Sequence, residues 1–193
     1  MNEMPGTGAQ AMGMALLPWW VRALWVCVLM IAALVHGRHV RACIGFDRWW
    51  HGSHVVMAAG MAVMYAADPM HQNVLDHVLV VLFSMETLGL LIATLFVGSR
   101  SRTAGVRFSA TTLEAAAMVY MAGLMLSRSA VSPVVTWLVA GVLAAWTVWL
   151  LGAVRRRPWS RLFDVPGRHG ADVRFALGVT TASMVYMLVA MVA

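Results

Sequence analysis

The chain has 193 residues, of which 61% are hydrophobic and only 11% charged, and it carries a formal net charge of +6. Soluble domains run to about a quarter charged residues, so this composition cannot cover a water-facing surface and predicts an integral membrane protein. It excludes a disordered chain, a disulfide scaffold built from its two Cys, and a nucleic-acid-binding module.

A spanning helix needs about 20 mostly apolar residues. After a tail over residues 1–16, six stretches meet that need: Leu17 to Val35, Ser53 to Ala67, His77 to Val97, Ala110 to Leu126, Pro133 to Val154 and Val173 to Val192. The expectation is one all-α transmembrane domain over 1–193, a bundle of six helices. In the first stretch, Cys27 and Met30 stand one turn apart and could offer a thiol and a thioether, although a buried, inert Cys is the simpler reading. The second stretch is the shortest, with Trp49 and Trp50 ahead of it where interfacial aromatics belong. The following loop holds Asp68, Met70, His71, Asp76 and His77 and no Arg, so Met70, His71 and His77 form a candidate outer collecting site for a cation. Glu86 lies near the middle of the third stretch, where a carboxylate is costly and points to function. It is expected to pair with a group such as His54, to be protonated, or to line a hydrated path. Glu114 opens the fourth stretch, as an interfacial acid favoured by the helix dipole or as a polar site. Pro133 opens the fifth at a position where a missing N–H costs nothing.

All fourteen basic residues are Arg, and twelve of them fall in the first, third and fifth loops or, for Arg174, at the edge of the fifth. Loops rich in Arg stay cytoplasmic, so both termini are expected outside and the Arg-rich loops inside a plasma (inner) membrane. The positive charge is then topological, with contact to anionic lipid headgroups as its mild functional reading. His36, His39, His51 and His169 read as interfacial or solvated. Cys27 in a helix and Cys43 in a cytoplasmic loop predict no disulfide.

The informative pattern is in the 16 Met. Met57, Met61 and Met64, then Met118, Met121 and Met125, then Met184, Met187 and Met191 each fall within an arc of roughly 60° at about 100° per residue. A polar residue precedes each stripe by about one turn: His54, Glu114 and Thr180. The string MVYM occurs at Met118 to Met121 and again at Met184 to Met187, a weak internal repeat that suggests a helical hairpin used three times. The three even-numbered helices then run in one direction and can face one another around a Met-lined centre, with His54, Glu114 and Thr180 at its cytoplasmic end. Thioethers are soft, uncharged ligands that select Cu(I), and neutral ligands suit a monovalent cation inside a bilayer. Against this stands the plain reading that Met fills gaps and packs on aromatic rings, so the stripes could be only a packing seam.

Phosphate loops, His-Glu-x-x-His, Cys-x-x-Cys and nucleophile elbows are all absent from the sequence, which points away from an enzyme. Haem is disfavoured because His54 sits at the inner side of the membrane and His77 at the outer, not at matching depth. His54 at the head of an Ala- and Met-rich helix, with MVYM in later helices, resembles an actinobacterial family of small multi-pass membrane proteins of unassigned function. That resemblance implies a fold and no activity. The residues themselves lead to a copper-handling or copper-delivery protein. One alternative is an accessory subunit or assembly factor, with no metal of its own, of a larger membrane complex such as a respiratory one; the partner is then that complex or a second copy of the chain. The other is a small proton-coupled transporter using Glu86. In each case the lipid bilayer is the immediate partner.

Overall fold

Apolar sequence with few breakers leaves the backbone only internal partners, and helices follow. The computed structural model describes residues 18–67, 73–127, 132–153 and 170–192, and six helices account for nearly all of them. These are α1 (Trp19–Ala42), α2 (Gly45–Ala66), α3 (Asn73–Gly98), α4 (Arg102–Ser127), α5 (Pro133–Ala153) and α6 (Gly170–Val192). Four of them, α1, α3, α4 and α6, are long and apolar enough to cross a membrane. The α5 helix holds a shorter apolar run, Pro133–Trp149. The first half of α2 carries Asp47, Arg48, His51, Ser53 and His54.

Most of the helices run past the apolar stretches at one or both ends. The largest differences are at α1, which continues to Ala42, at α2, which begins at Gly45, and at α4, which begins at Arg102, and only Cys43 and Ile44 connect α1 to α2. Arg38, Arg41 and Arg48 therefore sit on helices rather than in a loop. Polar residues extended these helices beyond the hydropathy signal because a helix needs only backbone pairing and neighbours, whereas a hydropathy window needs apolar side chains. The tight connection depends on Gly45, whose φ of 63° lies in the left-handed region.

Consecutive helices pack as the hairpins α1–α2, α3–α4 and α5–α6, and α1 also lies along α6. The three even helices touch one another as well, so α2, α4 and α6 form the centre and α1, α3 and α5 the outside. Exposed apolar side chains follow this division. On α3 they include Val74, Val78, Val81, Met85, Leu88, Leu91, Leu95 and Phe96, and on α5 Val134, Trp137, Leu138, Val142 and Val148. Apolar surface on this scale requires a non-aqueous surround.

Close approach is built in at two places. A Cβ on Gly105 of α4 would stand 2.8 Å from Gly98 Cα on α3, and one on Gly60 of α2 would collide with the Phe83 ring. Arg22 on α1 donates from Nε to Tyr65 O (2.8 Å) and from Nη2 to Ala67 O (2.6 Å). It thus covers orphan carbonyls at the C-terminus of α2 with a charge of favourable sign.

Candidate functional site

The helical wheel requires each Met stripe to lie on one face, and the packing of α2, α4 and α6 turns those faces inward. Met57, Met61, Met64, Met118, Met121, Met184 and Met187 are buried, while Met125 and Met191 are half-buried against the same core. Tyr65 ties two of these helices together by donating to Ser183 O (3.1 Å), and Ser183 Oγ lies 3.6 Å from Met61 Sδ. Cys27 and Met30 face outward and take no part in this centre.

Below the Met stripes lies a polar layer. His54 is fully buried, and its Nδ1 bonds the Trp50 carbonyl oxygen one turn earlier (2.8 Å). A carbonyl only accepts, so Nδ1 carries the proton and Nε2 faces Glu114 Oε2 at 3.5 Å. Glu114 is buried rather than interfacial: its Oε1 accepts from Trp146 Nε1 on α5 (3.0 Å) and from Thr181 Oγ1 on α6 (3.3 Å). Thr181, not Thr180, therefore supplies the third polar group of the layer. Both hydroxyls bond back to their own helix, Thr180 to Ala176 O and Thr181 to Leu177 O, but only Thr181 also reaches Glu114. A small cleft, with room for about one water (about 10 Å³), opens between Trp50, His54, Arg107, Glu114, Trp146 and Leu177.

Four imidazoles collect beside this layer. His36 stacks on His54 (ring centroids 4.9 Å apart, 19° between planes), and His39 stacks on His51 (4.9 Å, 16°). The Nδ1 atoms of His36 and His51 are 3.0 Å apart. One must donate and the other accept, so the two rings cannot both be imidazolium. His36 and His51 are fully buried, which corrects the expectation that they are interfacial or solvated. Trp50 is buried too, donating from Nε1 to Thr111 Oγ1 (2.9 Å), and only Trp49 keeps an exposed face. The short α1–α2 connection causes this, because it folds the polar end of α2 against the end of α1. Spacing gave one usable signal, since His51 and His54 share a helix face at i, i+3.

The Nε2 of His54 has Glu114 Oε2 at 3.5 Å, whereas those of His36 and His51 are buried without a hydrogen-bond partner. Such a group costs about 1–3 kcal/mol unless something bonds to it. At the Arg-rich end of the layer, Arg107 pairs with Asp47 (2.8 Å) and lies over the Trp50 ring, 5.6 Å from its centroid. In the connection between α1 and α2, burial and then Asp47 push the Cys43 thiol up, against the opposing charge of Arg107.

Glu86 does not meet His54 in a hydrogen bond. Its Oε1 accepts from Ser53 Oγ (2.7 Å), and its Oε2 is buried without a partner. Of the outer collecting site, His77 is exposed on α3, and Met70 and His71 lie outside the described residues. His169 and the long Arg-rich segment before α6 lie outside them as well.

Fold and site together define an all-helical protein with candidate transmembrane helices, a Met-lined core and a buried imidazole layer. No family model, curated protein or solved structure matches the chain.

Proposed function

We propose that this is a six-span plasma-membrane protein, with both termini outside and its Arg-rich side in the cytoplasm, that holds Cu(I) between the Met stripes for copper handling or delivery. The observation that carries the reading is the convergence of seven buried Met on three mutually touching helices, one of which also carries the buried His54 one turn before its stripe. Thioethers with one neutral imidazole match a soft monovalent cation and add no anion to the bilayer interior. Glu114, whose Oε2 lies 3.5 Å from His54 Nε2, then balances the charge of the occupied site. Such a ligand set favours copper held as Cu(I), the form a reducing cytoplasm maintains.

The test is metal analysis of untagged protein purified from copper-fed cells under reducing conditions. Copper should co-purify and be lost when Met57, Met61, Met118, Met121, Met184 and Met187 all become Leu, a change of similar volume. Absence of copper, or unchanged copper in the Leu variant, overturns the reading.

A second reading, a small proton-coupled transporter, has the buried and unpartnered Glu86 Oε2 in its favour. Full transport activity in Glu86→Gln would remove it.

A further inference from the structure

The connection between α1 and α2 brings together a second set of ligand atoms, away from the Met core. His39 lies in the last turn of α1, Cys43 is its C-cap residue with extended backbone (φ −97°, ψ 157°), and His51 lies two turns into α2. One ligand atom from each of these residues falls within 4.8 Å of the other two. The positive φ of Gly45 closes the connection and so holds Cys43 next to α2.

We propose that His39, Cys43 and His51 form a second metal site, which holds one Cu(I) through a thiolate and two imidazoles at the Arg-rich end of the bundle. The inference rests on the proposed function for the choice of metal and for the side of the membrane, but not for the ligands themselves.

Three observations carry it. The first is the donor set, since a thiolate with imidazoles favours soft and borderline cations such as Cu(I) and Zn(II) over hard ones. The second is His51, which is fully buried while its Nε2 has no partner. The third is orientation, because the His51 Nδ1 is already engaged by His36 Nδ1 at 3.0 Å, an outer-shell contact of the kind that fixes the ring of a ligating histidine. When the His51 Nδ1 donates in that contact, its Nε2 holds a lone pair.

Metal–ligand bonds of about 2.0–2.3 Å set donors about 3.5–4 Å apart, so a small side-chain adjustment closes the cluster on an ion. Binding forms a Cu–S bond as the thiol proton leaves to solvent, and copper stays Cu(I), so no electron is transferred. Because His36 contacts both His51 and His54, with ring centroids 5.3 and 4.9 Å away, the site adjoins the base of the Met core. Copper collected at the cytoplasmic end would have a short path from the thiolate site to the thioethers.

The experiment uses the full chain in detergent with Cys27→Ala, which leaves Cys43 as the sole thiol. Alkylation of Cys43 by iodoacetamide is followed anaerobically with and without Cu(I). Coordination removes the free thiolate, so Cu(I) should slow the reaction about tenfold or more. His39→Gln, at a half-buried position, should abolish that protection and lower bound copper by one per chain. Cys43→Ser should show the same loss of copper.

The variant with the six Met changed to Leu separates the two proposals. Protection of Cys43 with no loss of copper from that variant refutes the Met core and leaves the thiolate site standing. Cys43 alkylated equally fast with and without Cu(I), or still protected in His39→Gln, overturns the thiolate site.

Discussion

Glu114 is the residue on which three helices converge, and its two simplest substitutions should differ. Ala removes the acceptor of Trp146 Nε1 and Thr181 Oγ1 and the carboxylate facing His54. Thr181 still donates to Leu177 O (2.9 Å), so the Trp146 indole N–H is the main group left without a partner. An unmet donor costs about 1–3 kcal/mol, and the lost methylene adds about 0.8 kcal/mol. The expected loss is about 2–4 kcal/mol, which for a chain of this size lowers Tm by about 5–15 °C. Gln keeps an acceptor oxygen for Trp146 and loses only the charge facing His54, so it should cost about 1 kcal/mol. The assay is survival of the monodisperse peak in size-exclusion chromatography after heating in detergent. Trp146→Phe, combined with Glu114→Ala, should cost less than the two changes added together. Equal losses for Gln and Ala, or additive losses in the double variant, would refute the hydrogen-bond account.

Arg22→Met keeps the apolar stem but frees the Tyr65 and Ala67 carbonyls, so about 1–2 kcal/mol should be lost and amide exchange should quicken in the last turn of α2. Gly105→Ala places a methyl group against Gly98 and should destabilise the α3–α4 hairpin by about 1–3 kcal/mol in the same heating assay. Gly123→Ala, which meets nothing within 4 Å, should be neutral or slightly stabilising, and equal effects at the two glycines would contradict the close crossing. Gly45→Ala forces a side chain into a left-handed conformation at a cost of about 1–2 kcal/mol, and urea unfolding of the detergent-solubilised protein should show that loss.

The sequence by itself determined the helical class, the rough positions of the six helices among the described residues, and the shared face of each Met stripe. Hydropathy and a period of 3.6 residues act locally, so Met118, Met121 and Met125 must share a face whatever surrounds them. Hairpins joining neighbours were legible for the same reason, through the repeated MVYM strings and the short connections. Tertiary structure decided which side chains meet. A helical wheel gives an angle on one helix but no register between helices, and α6 settles so that Thr181 rather than Thr180 reaches Glu114. The burial of His36 and His51 was equally invisible, because polar residues at the end of an apolar run look solvated until another helix covers them. Here the left-handed turn at Gly45 folds α2 back along α1, and that one backbone conformation gathers His36, His39, Cys43 and His51 from an unremarkable polar stretch into a cluster of metal-ligand chemistry.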